Sequence, residues 1–418
     1  MKYLIILLDG MADWPIESLG GRTPLAVART PNLDFLASRG IVGRVRTVPE
    51  GMAPGSDVAN LAVLGYDPAR YYTGRSSLEA LARGIDLLPG DVSWRANLVT
   101  LTGEGPFETK ILSDFSGGEI PDALAAPLLD AARPLVEQAG FALHQGISYR
   151  NLLLARGGST GTITTPPHDI QGRPIGDYLP RGTCGAQFAR LMAQSHEILS
   201  RHPLVLAGKT TANCLWFWGE GTAPQLPGFA ALRGLRGGVV CAVDLIKGIG
   251  RAAGMQVLIP PTATGGMVTD YAAKCEAAKA LFAEGAELVF VHIEAPDECG
   301  HHNDPAAKIR AIEAIDRDIV GPLFDELTQE GEPFRLLALP DHPTPCAIGT
   351  HTAEPVPFLL YASPAAEAAQ ARGPVPGGSI PGDLTLPPRG ALAYTEAAAA
   401  TSPLRLPSGE ALMSLLLR

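Results

Sequence analysis

Seven side chains in this chain of 418 residues stand in motifs whose residue types and spacing could hold divalent metals or attack phosphorus. Asp9 closes the run Tyr3-Leu4-Ile5-Ile6-Leu7-Leu8. Asp297 and His301 stand in Glu294-Ala295-Pro296-Asp297-Glu298-Cys299-Gly300-His301. Asp341 and His342 follow Pro340, and His351 stands in Gly349-Thr350-His351-Thr352. Each piece follows an apolar, strand-like run or lies just beyond one. Ser56 is the seventh. It comes after Pro54-Gly55 and before a helix-like run, so it is the first residue of a helix or its cap. A helix N-terminus offers free N–H groups and the positive end of a dipole, which suits an anion. With its hydroxyl pKa lowered, a serine there can also serve as a nucleophile.

Alone, each piece has a plain reading. Ser56 is a cap, Asp-Gly after a strand is a turn, and His301 and His302 are solvated. Together they make two ligand sets. Asp9, Asp341 and His342 with the Ser56 oxygen can hold one divalent metal. Asp297, His301 and His351 can hold a second. Asp297 and His301 are four apart, so a helical turn puts them on one face. Mixed Asp/His sets suit Mn²⁺, Zn²⁺ or Co²⁺, and an all-oxygen set suits Mg²⁺ better. Two such ions can clamp the attacking and leaving oxygens of a phosphoryl transfer.

These groups need a frame that gathers loop ends. Tyr3–Leu8, Val42–Val48, Val239–Val243, Leu288–Ile293, Phe334–Leu339 and Val356–Tyr361 read as strands. Thr30–Gly40, Ser56 onward, Asp244–Ala253, Tyr271–Glu284, a long amphipathic stretch Ala306–Leu327 and a closing Ala411–Leu417 read as helices. The alternation predicts an α/β core with a mostly parallel sheet, whose ligands sit at the carboxyl ends of strands. Between residues 76 and 235 the texture changes. Asn97–Leu101, Lys110–Leu112, Leu152–Ala155 and Pro203–Leu206 read as short strands. Leu78–Arg83, Ala123–Ala139 and Gln187–Ser200 read as helices, the second with a kink or break at Pro127 and Pro134. We therefore expect a core of residues 1–75 and 236–418 interrupted by an inserted α+β domain, 76–235, leaving through the Gly/Pro-rich Glu220–Gly238. Residues 363–403 read mostly as loop.

Composition limits the function. Hydrophobic residues are 46% and charged ones 18%, enough for a large core. The net charge of −10 argues against general nucleic-acid binding. Six cysteines form no CxxC pair, the usage of a reducing compartment. The N-terminal apolar run is too short for a signal peptide, and no stretch reaches the length of a membrane span. A soluble, cytoplasmic protein is expected. Oligomeric state cannot be read from the sequence.

At these motifs the sequence resembles a known family. LLDGMADWPIESLGGRTPLAVARTPNLDFLA, GMAPGSDVANLAVLGYDP, YTGRSSLEALARGI, DLIKGIGRAAGM, HIEAPDECGH, LPDH and GTHTAEPVPF are similar to the archaeal-type 2,3-bisphosphoglycerate-independent phosphoglycerate mutases. These belong to the alkaline phosphatase superfamily. The resemblance covers nearly the whole chain. It implies an alkaline-phosphatase-like core with an inserted domain and a cleft for the substrate. It implies two divalent metals, Mn²⁺ first, with the ligand sets given above. It implies a phosphoserine mechanism in which Ser56 takes the phosphoryl group from 3-phosphoglycerate and returns it to the other hydroxyl of the bound glycerate.

A substrate with a carboxylate and a phosphate needs Arg and Lys. Lys247 comes first, then Arg75, with Arg150 and Lys209 in the insert; His168 either faces the substrate or caps a loop. One stretch departs from the family. Where many members carry an Asp-Arg-Arg-Ala-Gly-Arg-type run, this chain reads Ser113-Asp114-Phe115-Ser116-Gly117-Gly118-Glu119-Ile120. Loss of those charges should cost affinity for a doubly anionic substrate. Together with Pro166-Pro167-His168-Asp169-Ile170, it resembles a bacterial branch proposed to act as a homoserine kinase. No GxxxxGK[ST] loop is present for a nucleotide. A phosphomonoesterase and a non-enzymatic binding module are the remaining alternatives.

Overall fold

In the computed structural model, which describes residues 1–370, 390–391 and 393–418, the N-terminal apolar run forms the strand Lys2–Leu8. All but its first residue are buried. A strand apolar on both faces belongs in the middle of a covered parallel sheet. It pairs in parallel with Leu288–Ile293 on one side and Phe334–Leu339 on the other. The eight-stranded sheet runs Gln256–Leu258, Gly237–Val240, Leu288–Ile293, Lys2–Leu8, Phe334–Leu339, Val356–Ala362, Ile41–Val45, Arg405–Leu406. Val356–Ala362 is antiparallel to both its neighbours, and the other pairings are parallel. The central register sets Leu8 opposite Ile293 and Leu7 opposite Leu339. Three adjacent strands therefore end at one level, and their next residues are Asp9, Glu294 and Pro340.

The chain forms two compact units, Met1–Tyr72 with Gln225–Arg418, and Thr73–Pro224. The sequence reading set the limits a few residues later, at 75/76, and eleven later, at 235/236. The Thr73–Pro224 unit has an all-antiparallel sheet around the long strand Val92–Thr102, flanked by Cys214–Thr222, Arg150–Ala155 and Ile111–Asp114. Trp94, Ala96 and Leu98 on one face join the apolar faces of helices Asp122–Gln138 and Gly185–Ser200 in a core with Phe188 and Phe217. The Phe188 ring centroid is 5.0 Å from Trp94 and 5.1 Å from Phe217.

Several expectations change. The helix Asp122–Gln138 runs through Pro127 and Pro134 without a break. Its buried face of Ala125, Leu128, Leu129, Ala132 and Val136 outweighs the two missing donors. Pro203–Leu206 is a single helical turn, not a strand. Pro203 takes the first helical position and the His202 ring accepts from Leu204 N at 3.3 Å. The long stretch 306–327 is not one helix. It is Pro305–Ile315, a π turn Asp316–Val320, and Gly321–Glu330. Pro322 cannot donate within the ladder, and Asp316 points away to accept from Asn32 N (3.1 Å) and Leu33 N (2.8 Å). Residues 363–403 are less loop-like than expected. They include helices Pro364–Gln370 and Glu396–Thr401; 371–389 and 392 lie outside the described residues. The strands Cys214–Thr222 and Ala142–Ile147 were not anticipated.

Candidate active site

Asp9 leaves the first strand fully covered, with 1% exposure. Gly10 follows at φ 60°, a left-handed conformation glycine tolerates, and a Cβ there would collide with Asp297 and Thr344. Gly10 N donates to Asp341 Oδ1 at 3.1 Å. His342 N donates to the same oxygen at 2.9 Å. The loop after Leu8 and the loop after Leu339 are thus stitched together at their second residues.

Ser56 is the first residue of the helix Ser56–Val63, with Gly55 before it. Its Oγ lies 3.1 Å from His342 Nε2. One turn on, the buried Asn60 donates through Nδ2 to Ser56 O (2.8 Å) and to Asp341 Oδ2 (2.9 Å). Asp57 accepts from Tyr72 Oη at 2.6 Å and from Val58 N at 2.9 Å. The first turn of this helix is therefore anchored on two sides.

Two groups of ligand atoms converge, each within 4.8 Å of one another. One is Asp297, His301 and His351. His301 Nε2 is 2.9 Å from His351 Nε2 and 3.2 Å from Asp297 Oδ2. The other is Asp9, Asp297 and His342. His342 Nε2 stands 3.6 Å from Asp9 Oδ1 and 3.4 Å from Asp341 Oδ2, and its ring centroid is 4.0 Å from that of His351. Asp297 belongs to both groups, which together hold five side chains, and His342 brings in Asp341 and Ser56 to make one continuous cluster of seven.

The cluster's electrostatics call for a cation. Burial, with Asp341, Asp297 and Glu294 nearby, pushes the Asp9 carboxyl well above its usual range. Its Oδ1 is buried without a hydrogen-bond partner. Burial opposes ionisation of Asp297 too, but the imidazoles of His301, His351 and His342 win and lower it well below the carboxylate range. Burial disfavours a charged His301, yet Asp297 raises it to about 9. Carboxylates crowded in a buried volume are stable as anions only beside positive charge. Converging imidazole and carboxylate atoms, with an orphaned carboxylate oxygen, fit a divalent metal.

Three contributors escaped the sequence reading. Asn60 reads as an ordinary polar residue in a helix, although it stands four residues after Ser56. His292 sits inside a strand, fully buried, with Nε2 2.9 Å from Asp9 Oδ2. Burial, then Lys274, lowers its pKa to about 3 and keeps it neutral. Thr344 donates its hydroxyl to Asp297 Oδ1 and lies 3.3 Å from His342 Nδ1.

The candidate substrate groups divide between the two units. Lys247 is half-buried on the helix Asp244–Ala252, which packs on the Ser56–Val63 helix. Arg75, Arg150, His168 and Lys209 belong to the Thr73–Pro224 unit. There, Arg75 Nε pairs with Glu79 Oε1 at 3.2 Å, Arg150 lies over the Tyr149 ring, and His168 packs edge-on to Trp218 and Phe115. Lys209 is exposed after the turn Pro203–Leu206. Sequence reasoning missed Arg95, buried on the central strand. It lies over Trp218 at 4.2 Å and pairs with Glu79 Oε2 at 3.1 Å. Burial lowers its pKa to about 10. The divergent stretch 113–120 is a self-satisfied turn. Asp114 accepts from Ser116 N and Oγ at 2.7 Å and from Gly118 N at 2.8 Å.

Comparison with known proteins gives one answer. The sequence model of the 2,3-bisphosphoglycerate-independent phosphoglycerate mutase family matches residues 37–205. The chain is 48% identical over 368 residues to the 2,3-bisphosphoglycerate-independent phosphoglycerate mutase of Methanothrix thermoacetophila, covering 87% of this chain and 91% of the relative. The solved cofactor-independent phosphoglycerate mutase of Thermoplasma acidophilum is 26% identical with a TM-score of 0.61, covering 100% of this chain and 99% of that one. A solved Pyrococcus horikoshii protein, PH0037, is 29% identical with a TM-score of 0.76, covering 99% and 96%. With the nucleophile candidate, the buried acids and the imidazoles gathered at the strand ends, the chain belongs to the 2,3-bisphosphoglycerate-independent phosphoglycerate mutases.

Proposed function

We propose that this enzyme interconverts 3-phosphoglycerate and 2-phosphoglycerate through a phosphoserine at Ser56. The observation carrying this reading is Ser56 Oγ, at the start of a helix and 3.1 Å from His342 Nε2, beside the buried carboxylates Asp9, Asp297 and Asp341. Ser56 Oγ attacks the phosphorus. Its bond to phosphorus forms as the bond from phosphorus to the substrate's C3 oxygen breaks, and a proton moves to that oxygen as the serine proton is lost. In the return step the C2 hydroxyl oxygen attacks and gives up its proton as the bond from phosphorus to Oγ breaks, and a proton returns to Oγ. The N–H groups of the Ser56–Val63 helix favour the anionic phosphoryl group. Asn60 holds the Ser56 backbone in register with Asp341.

Asp9, Ser56, Asp341 and His342 are assigned to one divalent metal, and Asp297, His301 and His351 to the other. When bound, such ions lower the hydroxyl pKa of Ser56 and offset the charge on the phosphoryl oxygens. Mn²⁺ is the first choice, before Zn²⁺, Co²⁺ and Mg²⁺. Lys247, Arg75, Arg150, Lys209 and His168 are assigned to the carboxylate and phosphate of the substrate. The core unit carries the metal chemistry. The cysteines of this chain are free thiols, which supports a cytoplasmic enzyme.

The test is conversion of 3-phosphoglycerate by purified protein with Mn²⁺ and no 2,3-bisphosphoglycerate, beside an EDTA-treated control. Fast, EDTA-sensitive conversion is expected. Its absence in a folded, metal-loaded protein would sink the proposal. The self-satisfied turn at 114–118, without the family's arginines, favours one second reading: phosphoryl transfer to homoserine on the same core. Phosphorylation of homoserine from an added donor, with no mutase turnover, would select it.

A further inference from the structure

Lys308 is one of the least expected residues in the core unit. Its side chain is completely buried on the helix Pro305–Ile315, and the Asp13 side chain it meets is equally buried. Its ammonium has three donors. All three find acceptors: Asp13 Oδ2 at 2.8 Å, Thr344 O at 2.9 Å and Ala12 O at 3.3 Å. Ala12 and Asp13 lie on the loop that carries Asp9. Thr344 lies on the loop that carries Asp341 and His342. Asp13 also accepts from Cys346 N, and Thr344 N donates to Ala12 O at 3.2 Å. Thr344 then passes the arrangement on, because its hydroxyl donates to Asp297 Oδ1.

One cation is thus shared by the two ligand-bearing loops, and the Thr344 hydroxyl links them to the third ligand element. Stability alone is a weak reason to keep such an ion pair. A buried pair roughly breaks even with apolar residues of the same volume. Fixing the spacing of two loops is something an apolar side chain cannot do, since it has no directional bonds to their carbonyls.

We propose that Lys308 is a positioning residue that sets the distance between the Asp9 loop and the Asp341–His342 loop, and thereby the affinity of the centre for divalent metal. This rests on the metal-site reading given above, and the experiment separates the two. Mn²⁺ binding to the full-length wild type, Lys308→Met and Asp13→Asn is measured by equilibrium dialysis, with far-UV circular dichroism confirming the fold. The wild type should bind two Mn²⁺ per chain. Lys308→Met should bind Mn²⁺ about tenfold or more weakly, the scale seen when partners behind metal ligands are removed. At saturating Mn²⁺ its KM for 3-phosphoglycerate should stay within about twofold of wild type, with the deficit falling on kcat. Asp13→Asn keeps the shape of the side chain and removes the charge. It should weaken Mn²⁺ in the same direction, and it decides the matter if Lys308→Met does not fold. A folded variant with wild-type Mn²⁺ affinity and only a lowered melting temperature would overturn the inference. A wild type that binds no Mn²⁺ would overturn both the inference and the metal reading.

Discussion

Single residues carry the chemistry, and their legibility depended on where each sits. Asp9, Asp341, His342 and His351 punctuate the ends of apolar runs, where a charged residue has no packing reason to be. Ser56 is marked by the Pro-Gly before it. Asn60, His292 and Thr344 carry no such mark, because a polar residue inside a helix or strand is read first as solvent-facing or as a satisfied core group. Only the fold shows that Asn60 is buried and that His292 reaches Asp9. Two substitutions test the reading. Ser56→Ala should lower turnover by on the order of 10³-fold or more, as loss of a nucleophile does, while dichroism and metal content hold. Near-normal activity would remove the phosphoserine step. His351→Ala should lose one metal per chain, because it takes one nitrogen from the group with Asp297 and His301. Unchanged metal content, read by elemental analysis, would take His351 off the ligand set.

At the scale of elements, long periodic segments and strands with flanking stops were readable, and junctions were not. The apolar spacing of 306–327 continues across the π turn, so periodicity sees one helix. The π turn falls just before Pro322, which has no N–H for the ladder, and at Asp316, whose side chain serves the first turn of Pro31–Arg39, where Thr30 makes no capping bond. Pro203–Leu206 is too short for periodicity to decide, and the proline settles it toward a helical turn. Cys214–Thr222 was missed because Leu215, Trp216, Phe217 and Trp218 are apolar without a break, hiding the alternation of the strand. Asp316→Ala should cost about 1–2 kcal/mol, the worth of an N-terminal helix cap. Urea unfolding with an unchanged slope would measure it, and a midpoint equal to wild type would show that the cap bonds do not matter.

At the scale of the molecule, the core unit is discontinuous in sequence and the insert is not. The α/β rhythm of the core and the change of texture after residue 75 gave the overall plan, but the limits of the insert depend on how its ends meet. Thr222 N donates to Thr73 O at 2.9 Å, and Thr73 Oγ1 donates to Thr222 O at 2.8 Å. With its ends pinned and a core of its own, residues 73–224 should fold alone and unfold in a single urea transition. A fragment without cooperative unfolding would show that it borrows stability from the core unit. Part of its response to acid follows from one buried group, Glu79. Burial disfavours the Glu79 carboxylate, but Arg95, Arg75 and Arg83 outweigh it and hold its pKa below the usual 4.5. A carboxyl with a depressed folded-state pKa adds stability that is present above its unfolded value and lost as pH falls through the folded one. The part of the fragment's urea midpoint that belongs to Glu79 should therefore hold down to about pH 5 and drop below pH 4.5, while His144 and His196, whose pKa values burial lowers, add a separate loss as pH falls through 6.5. Glu79→Gln should be less stable at pH 7 by a few kcal/mol, because Arg95 is left buried beside a neutral amide. It should also lose the part of the acid drop that belongs to residue 79. A variant whose midpoint falls as steeply between pH 5 and pH 3 as the parent's would place that sensitivity on another acid of the unit.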